Sequence, residues 1–443
     1  MATTPRELAY RILLTAEREH SRYIDDILGE ILNTHPDLGR ERGWITELVY
    51  GSTRMKFQLD AIISSVFKGK YGKAQHAVRV LLRMGAFQLL QMNVSDHAAV
   101  NETVSLARKV GQARSAGLVN AVLRAIQSLN VDEDVYPSFS NTKKMAVQGS
   151  HPEWMIERWV DRYGVDQVQE LCAYNNRAPQ TWIRRNVLRV ERNEFETFLE
   201  RAGVSFRNSE ILDQFYLLES AADLIGSEAF EQGWFSFQDI AAGMVASLVT
   251  PVQGEIILDA CSAPGGKLTF IAENYSDKLG SLIAMDASNT RLKRVDENVQ
   301  RLGLKDITIS QADVAVDNLP QADWILLDVP CSGTGVLGRR PDARWRKQLE
   351  DINSLGLIQE KIIRNAWKHL RAEGSMIYAT CSLEPEENWM MIDSVLNDLD
   401  NAELVPIQVE NLEPYVDERG ALSTLPWRDD MDGMFAVILR KKP

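Results

Sequence analysis

Length, composition and cysteine content exclude several classes of protein. A chain of 443 residues has room for about two to four domains, and a hydrophobic fraction of 45% excludes a disordered chain. Four cysteines are too few for a disulfide framework, and because no two of them form a C-x-x-C pair we exclude a zinc ribbon and expect no metal site. Because the chain has no signal-peptide stretch and no apolar run of about 18 residues, we expect a cytoplasmic monomer that contacts no membrane.

The net charge of −13 argues against a general nucleic-acid binder, but the charge is unevenly distributed. Residues 51–130 carry a net charge of +8, whereas residues 1–50 carry −3 and residues 131–443 carry −18. The basic segment predicts either a patch that contacts phosphate groups or a solvated helical face with a chance excess of basic residues. The charge pattern favours neither interpretation over the other.

Residues 1–130 are predicted to form an all-α domain. Thr4 and Glu7 have the spacing of a capping box, and Pro5 occupies the first helical position. Apolar residues then recur at helical spacing, and alternating β-branched runs are almost absent. The periodicity is clearest at Leu8-Ile12-Leu13-Ala16, Val78-Leu81-Leu82-Ala86-Leu89 and Leu118-Val119-Val122-Leu123-Ile126.

Two less regular segments follow the helical domain. Residues 131–150 lose the periodicity and gather Asp, Pro, Ser and Asn, which predicts a linker. Residues 151–250 combine a helical stretch at 154–163 with strand candidates at 181–187 and 234–237, which predicts a small α+β middle domain.

Residues 251–443 are predicted to form an α/β domain with a doubly wound parallel sheet. Near-continuous apolar strands alternate with amphipathic helices, notably at 288–302 and 351–370, so that helices cover both faces of the sheet. The predicted strands lie at 256–258, 282–285, 307–309, 324–327 and 376–378.

The residues that follow these strands are expected to form the functional site, because ligands of open α/β sheets bind at the carboxyl ends of the strands. Three of the four cysteines and four carboxylates fall there, which a random scatter would seldom produce. A single cysteine is usually a small buried apolar residue, but three at strand ends favour a reactive site. The residues are Asp259 to Lys267, Asp286, Asp313, Asp328 with Cys331, and Cys381.

The first of these loops predicts a ligand with an adenosyl group. The loop is rich in glycine and leads into a helix, which lets a ligand approach the backbone closely. It matches neither G-x-G-x-x-G nor the G-K-[ST] ending of a phosphate loop, because Leu268 follows Lys267. Asp286 suits ribose hydroxyl groups and Asp313 suits an adenine amino group, so the set favours S-adenosylmethionine.

At these residues the chain resembles the RNA cytosine-5 methyltransferases. The motifs are DACSAPGGK at 259–267, DVPCSGTG at 328–335, YATCS at 378–382 and PEEN at 385–388. Within that family it resembles the 16S rRNA methyltransferases that carry an N-terminal NusB-like RNA-binding domain, through RMGAFQLL at 83–90, HAAVNETV at 97–104 and GLVNAVLR at 117–124. The resemblance spans nearly the whole chain and implies a class I methyltransferase (Rossmann-like) fold for residues 251–443.

The resemblance also implies the roles of individual residues. It assigns Cys381 as the nucleophile, Cys331 as the group that assists product release, and Asp328 to positioning of the cofactor and the base. Lys267 receives a supporting polar role, with a surface lysine at a helix start as the alternative. The implied contacts to S-adenosylmethionine are Cys261, Ser262, Ala263, Pro264, Gly265, Gly266, Lys267, Asp286, Asp313 and Asp328, with Arg291 as a further candidate.

Methylation at carbon 5 of cytosine requires these residue types, because that carbon is not nucleophilic enough to take a methyl group unaided. A thiolate that adds at carbon 6 converts the ring into an enamine, so the reaction needs an activated cysteine. A second group must help remove the proton from carbon 5 before the bond to the enzyme breaks. A carboxyl group near the pyrimidine edge can pair with the exocyclic amine that cytosine has and uracil lacks.

The implied substrate is structured RNA, in particular 16S rRNA. A cytosine in such RNA must leave its stack to reach the pocket, which explains an attached RNA-binding domain. The side chains expected to hold the RNA strand, with surface salt bridges as the alternative for each, are Arg184, Arg185, Arg339, Arg340, Arg344 and Trp345.

Two other functions stay open at this point. One is a class I methyltransferase that acts on tRNA, on large-subunit rRNA or on a small molecule. Methylation of a small molecule at oxygen or nitrogen needs no nucleophilic thiol, so Cys381 argues against that variant. The other is a non-catalytic NusB-like RNA-binding factor, and the intact DVPC and TCS motifs argue against it.

Overall fold

The computed structural model describes residues 3–19, 22–39, 41–136, 139–221 and 224–443. The chain forms two compact units. The first consists of Met1–Ala178 with Leu337–Lys347, and the second of Pro179–Val336 with Gln348–Pro443. Within the described residues, no helix is both long and apolar enough to cross a membrane.

The first unit is helical, as the sequence predicts for residues 1–130. The capping box is only half formed: Thr4 accepts a hydrogen bond from the Glu7 N–H and Pro5 opens the first helix. Apolar residues at helical spacing, such as Leu8 and Ile12, are buried in one shared core. The helices are α1 (Pro5–Arg18), α2 (Ile24–Asn33), α3 (Glu41–Arg54), α4 (Lys56–Val66), α5 (His76–Leu90), α6 (Asp96–Lys109), α7 (Ala116–Gln127), α8 (Val131–Asp134), α9 (Asn141–Gly149), α10 (Glu153–Tyr163) and α11 (Val165–Asn176).

The structure differs from the linker interpretation of residues 131–150, because α8 and α9 lie there. Ser140 caps α9, and the buried Ala146 and Val147 hold that helix in the first unit. The polar residues that suggested a linker are therefore partly helix caps. Helices α10 and α11 also belong to the first compact unit, which extends to residue 178.

The second unit begins with a small antiparallel sheet of strand order β2-β3-β1-β4. Aromatic side chains fill its core, among them Phe195, Tyr216 and Phe235. The predicted strands at 181–187 and 234–237 are β1 and β4, whereas β2 and β3 were not predicted. The elements are β1 (Thr181–Arg185), α12 (Arg192–Arg201), β2 (Phe206–Asn208), β3 (Phe215–Leu218), α13 (Glu228–Glu231) and β4 (Phe235–Phe237).

A large mixed sheet of strand order β10-β12-β9-β8-β5-β6-β7 forms the rest of the second unit, with β11 paired to β12. Its elements are α14 (Ile240–Ser247), β5 (Ile256–Asp259), α15 (Gly266–Tyr275), β6 (Ser281–Asp286), α16 (Asn289–Leu302), β7 (Ile307–Gln311), β8 (Ala322–Asp328), α17 (Ala343–Arg346, in the first unit), α18 (Leu349–His369), β9 (Leu370–Thr380), α19 (Trp389–Asp398), β10 (Ala402–Val405), β11 (Leu422–Ser423), α20 (Pro426–Asp429) and β12 (Phe435–Lys441).

Five parallel strands of this sheet, β5 to β9, confirm the predicted α/β fold class. Successive residues of one strand point to opposite faces of the sheet and pack in different cores, as Leu326 and Leu327 of β8 do. Both faces of the sheet are therefore covered. Strand β12 runs antiparallel to β9 and extends the sheet beyond the prediction. The carboxyl ends of the parallel strands meet at one edge, where the candidate site lies.

Candidate active site

The loop between β5 and α15 forms a cradle at the carboxyl edge of the sheet. A 2.9 Å hydrogen bond from Ser262 N to Met285 O fixes the loop to the neighbouring strand. Gly265 has a φ of +99°, and a Cβ at that position would lie 3.3 Å from the Val295 side chain of α16. Helix α15 then begins at Gly266, and the first N–H groups of a helix are available to ligand oxygen atoms.

A cavity of about 170 Å³ opens beside this loop. Asp259 is 1% exposed, and its two carboxylate oxygens have no hydrogen-bond partner within the described residues. Burial and then the charge of Asp328 raise the pKa of Asp259 to about 7. Buried polar atoms without protein partners are costly unless a ligand or water satisfies them. Six of the predicted cofactor contacts line the cavity: Cys261, Ser262, Pro264, Gly266, Lys267 and Asp328.

Two further predicted contacts lie along the same edge. Asp286 ends β6 and is 3% exposed, and its Oδ1 accepts a 2.8 Å hydrogen bond from Ser288 N and pairs with Arg291 at 2.8 Å. Asp313 follows the adjacent strand β7 and is exposed, with its Oδ1 accepting a hydrogen bond from Ala315 N. The structure therefore brings Asp286 and Asp313 to neighbouring strand ends, as the sequence predicts.

Lys267 and Asp328 form an ion pair across the site. The distance from Lys267 Nζ to Asp328 Oδ2 is 2.6 Å, and the lysine side chain is only 11% exposed. Burial alone would lower the pKa of Lys267, but the adjacent carboxylate outweighs burial and raises that pKa, so the ammonium group stays charged. The alternative of a surface lysine at a helix start is therefore wrong.

Cys331 and Cys381 lie side by side at the ends of β8 and β9. Their Sγ atoms are 3.3 Å apart, and both thiols are free. The hydrogen bond to Cys381 raises the pKa of Cys331, and burial and the charges of Glu387 and Asp328 raise it further. The Cys331 thiol thus keeps its proton at neutral pH, next to the second sulphur atom. Burial likewise raises the pKa of Cys261, whose thiol stays neutral.

Two residues of the PEEN motif hold the cysteine loops, although no role for either is predicted from the sequence. The Glu387 carboxylate accepts hydrogen bonds from Ser332 N and Ser332 Oγ at 2.8 and 2.5 Å. Asn388 accepts a hydrogen bond from Thr380 Oγ1 at 2.6 Å and donates one to Ser382 O at 2.8 Å. The motif match was the available signal, but it carried no information about contacts.

Three arginines predicted to hold an RNA strand are instead buried and bound to the protein. Arg184 and Arg344 are fully buried, and Arg185 is 7% exposed with a 2.7 Å hydrogen bond to Val190 O. Arg344 belongs to the first unit, where it donates to backbone carbonyls including Ser150 O at 3.0 Å. The prediction for these three residues was wrong, because the sequence does not distinguish an arginine at the surface from an arginine inside a core.

The other residues predicted to contact the RNA strand, Arg339, Arg340 and Trp345, also belong to the first unit. Arg340 is exposed, whereas Trp345 is half-buried and its indole N–H donates a 2.7 Å hydrogen bond to Thr53 O. Contact of Arg339 and Arg340 with RNA stays a prediction. Across the described ranges, no group of three or more His, Cys, Asp or Glu side chains is placed to hold a metal ion.

A doubly wound sheet with a glycine-rich first loop and acids after its second and third strands is the architecture of a class I methyltransferase. Family models match three parts of the chain. These are the NusB family at 3–128, the Methyltr_RsmF/B-like ferredoxin-like domain at 151–224 and 16S rRNA methyltransferase RsmB/F at 246–440.

Individual proteins agree with the family models. Ribosomal RNA small subunit methyltransferase B of Vibrio vulnificus is 35% identical over 413 residues, which cover 91% of this chain and 92% of that protein. The chain therefore belongs to the 16S rRNA methyltransferase RsmB/F family. It has a NusB-like N-terminal domain and a ferredoxin-like middle domain, and it is an S-adenosylmethionine-dependent RNA methyltransferase.

Solved structures share the fold. The crystal structure of PH0851 superposes with a TM-score of 0.83 at 23% identity, with 100% of both chains covered. NSun6 from Pyrococcus horikoshii, crystallised with SFG, superposes with a TM-score of 0.57 at 21% identity, over 65% of this chain and 97% of that chain.

The residues of the cradle fit S-adenosylmethionine. The unpartnered Asp259 oxygens and the unpartnered Ser262 hydroxyl can accept hydrogen bonds from an ammonium group, and a buried anion favours a cationic ligand. The cavity lies between this cradle and the Lys267–Asp328 pair. When bound there, the cofactor supplies an electrophilic methyl group.

Replacing Asp286 tests the proposed ribose contact. Asp286→Ala is expected to weaken binding of S-adenosylhomocysteine by about 10- to 100-fold, because a hydrogen bond to a charged acceptor contributes roughly 1.5–3 kcal/mol. Isothermal titration calorimetry measures the affinity. Asp296→Ala, at an exposed position on α16, is the matched control and should bind normally. Equal affinity of the Asp286 variant and the control would contradict the ribose assignment.

Proposed function

We propose that the chain methylates carbon 5 of a cytidine in 16S rRNA through a covalent bond between Cys381 and the base. The observation that supports this most strongly is the 3.3 Å separation of the Cys331 and Cys381 sulphur atoms at the strand ends. Methyl transfer to oxygen or nitrogen needs no thiol, whereas methylation at carbon 5 needs one to attack and a group to assist release. The names of the family and of its relatives support 16S rRNA as the substrate.

The residues of the chain account for each step. The Cys381 sulphur adds to carbon 6, and the electron pair of the 5,6 double bond becomes available at carbon 5, which takes the methyl group. In release a water molecule takes the carbon 5 proton, the electrons of that C–H bond re-form the double bond and expel the Cys381 sulphur, and the neutral Cys331 thiol 3.3 Å away donates its proton to the departing thiolate. The raised pKa of Cys331 supports the assignment of Cys381 as the nucleophile and Cys331 as the group that assists release, because a neutral thiol is a weaker nucleophile than a thiolate.

Asp328 is the group proposed to select cytosine. Its Oδ2 is held by Lys267, and its side chain is 32% exposed, so the other oxygen is free to accept a hydrogen bond from the exocyclic amine of cytosine. Uracil presents a carbonyl at that position, and two acceptors would then face each other. The Lys267 ammonium group, 2.6 Å from Oδ2, holds the Asp328 side chain in place.

The domain organisation supports an RNA substrate. We propose that residues 1–130 and the middle segment 151–250 bind RNA, and that residues 251–443 carry the reaction. We also propose that the protein acts as a monomer in the cytoplasm, which sedimentation of the purified chain and cell fractionation would test. The bases of structured RNA are stacked and paired, so binding outside the pocket must supply energy to expose the target base.

Charge reversal in the basic segment tests its contribution to RNA binding. Lys68, Lys70 and Lys73 are all exposed, in and around one turn that follows α4. Reversing all three to Glu is expected to weaken RNA binding and to reduce the slope of log affinity against log salt by about one unit for each lysine that contacts a phosphate. Filter binding across a salt series gives both quantities.

A matched control separates a local effect from net charge. Lys293, Lys361 and Lys368 are exposed on α16 and α18 of the second unit, and their reversal changes the net charge by the same amount. If both triple variants lose the same affinity, the segment 51–130 is only a solvated face and the patch interpretation is wrong.

Bisulfite sequencing of RNA from cells with and without the gene tests the proposed function. One cytidine of 16S rRNA should be protected from conversion only when the gene is present, and purified protein with S-adenosylmethionine should restore the protection. Protection of a tRNA or large-subunit rRNA cytidine instead would keep the chemistry and correct the substrate. If removing the gene leaves every 5-methylcytidine in every RNA unchanged, the proposal is refuted.

A further inference from the structure

The carboxylate of Glu387 connects the two cysteine loops, and the reaction proposed above gives it no chemical task. Glu387 has a side chain with no exposed surface. One carboxylate oxygen accepts from Ser332 N at 2.8 Å and from Gln359 Nε2 at 2.9 Å. The other accepts from Ser332 Oγ and Ser382 Oγ, both at 2.5 Å. All four donors are neutral, so the buried charge is satisfied by hydrogen bonds alone.

The two serines are the residues directly after the two cysteines. Ser332 follows Cys331 in the loop after β8, and Ser382 follows Cys381 in the loop after β9. Because both hydroxyls bind the same carboxylate oxygen, a shift of either loop would lengthen one hydrogen bond of the pair. The hydroxyls also contact each other at 3.0 Å, which completes a closed arrangement.

A second layer of contacts fixes the carboxylate itself. Gln359 of α18 also donates to Pro330 O at 2.9 Å, next to Cys331, and accepts from the Tyr378 hydroxyl at 3.2 Å. The Tyr378 hydroxyl donates a 2.6 Å hydrogen bond to Glu387 O. Glu387 therefore has little freedom to follow a moving loop, and the loops must adjust to it.

We propose that Glu387 is a positioning residue that sets the distance between the two sulphur atoms, and so allows Cys331 to reach the base bonded to Cys381. This inference rests on the proposed function for its consequence, but not for its geometry. A carboxylate is required because only a group with two acceptor oxygens and no donor can serve four donors at once. Its charge also raises the pKa of Cys331, which keeps on that thiol the proton needed in release.

Glu387→Gln tests the geometry without RNA or cofactor. Phenylarsine oxide bonds to two thiols at once, releasing water, only when the sulphur atoms lie side by side. We expect the wild-type protein to take up one arsenic at Cys331 and Cys381, and Cys331→Ser to lose that uptake. Because the amide side chain offers a donor in place of one acceptor, Glu387→Gln should take up arsenic about tenfold more slowly. Intact mass spectrometry and thiol titration follow the reaction.

A second measurement follows the catalytic consequence. In Glu387→Gln, kcat should fall about 10- to 100-fold with KM for RNA unchanged, and a covalent protein–RNA adduct should accumulate because release slows first. Glu360→Gln is the matched control, because Glu360 lies beside Gln359 on α18 but pairs with Arg364 at the surface. That variant should react with arsenic and with RNA as the wild type does.

The outcomes separate the inference from the proposed function. If Glu387→Gln takes up arsenic slowly but neither it nor the wild type forms an adduct with RNA, the positioning role is retained and the covalent mechanism is refuted. Wild-type arsenic uptake together with a lowered melting temperature would show that Glu387 only stabilises the fold, and would overturn the inference. If Glu387→Gln does not fold, the pair Ser332→Ala and Ser382→Ala removes the same hydroxyl contacts and must give the same slow uptake.

Discussion

Cys381→Ala is expected to abolish both methyl transfer and covalent attachment to RNA. Without the nucleophile no bond to carbon 6 forms, so carbon 5 never becomes reactive and the loss should exceed about 10⁴-fold in rate. Binding of S-adenosylhomocysteine should be unchanged, because Cys381 is not among the residues that line the cofactor cavity. Incorporation of labelled methyl groups into RNA and a denaturing gel measure the two effects.

Cys331→Ala is expected to fail at a later step. Attack by Cys381 and methyl transfer still occur, but elimination stalls because the helper thiol 3.3 Å away is gone. A covalent protein–RNA adduct should therefore accumulate, seen as a slower band on the denaturing gel, and only when RNA and S-adenosylmethionine are both present. Cys172→Ala, a buried cysteine of the first unit, controls for the loss of a thiol and should behave as the wild type.

Opposite results would have a clear meaning. DNA cytosine-5 methyltransferases take their nucleophile from the Pro-Cys motif, which here would name Cys331. An adduct in Cys381→Ala and none in Cys331→Ala would reverse the two roles. Full activity in both variants would show that this protein does not use a covalent mechanism.

The elements that carry the site could be predicted from the sequence because local patterns determine them. Buried parallel strands are short apolar runs, so β5 to β9 were recognised and their carboxyl ends placed at one edge. The pairing of Cys331 with Cys381 followed from that edge and from the motifs. The short strands β2 and β10 carry no such run, and each lies at the edge of its sheet with one neighbouring strand, β3 or β12.

The contacts of buried polar residues could not be predicted. Arginines such as Arg184 and Arg344 are common on RNA-binding surfaces. In this fold, however, both are bound to residues that are far from them in the sequence. Glu387 was part of a recognised motif, yet its four donors lie on three segments that only the fold brings together. Charge in a sequence does not report burial, and burial decides whether an arginine binds a ligand or the protein itself.

Arg184→Ala is expected to destabilise the second unit by about 3–5 kcal/mol, because it leaves a buried carboxylate without its partner. Arg184 and Glu273 are both fully enclosed, with contacts of 2.9 Å from Nε and 2.8 Å from Nη2. The same guanidinium group donates to Thr269 Oγ1 at 2.9 Å and to Gly266 O at 2.8 Å. Chemical denaturation followed by tryptophan fluorescence measures the free energy of unfolding.

The loss should depend on pH in a defined direction. Burial raises the pKa of Glu273, and Arg184 opposes that rise. Without Arg184 the pKa rises further, and a carboxyl group whose pKa is raised in the folded state favours folding at low pH and loses that contribution as pH increases through the folded pKa. The deficit of Arg184→Ala against the wild type should therefore be smaller at about pH 5 than at pH 8.

Adding Glu273→Gln to Arg184→Ala identifies the cause. The double variant has no buried charge left to neutralise, so it should regain part of the stability and show a deficit that no longer changes with pH. Arg184 also anchors the first turn of α15, where the cofactor cradle begins, so S-adenosylhomocysteine should bind more weakly to both variants. A pH-independent deficit in the single variant would mean that lost packing, and not the uncompensated Glu273 carboxylate, causes the destabilisation.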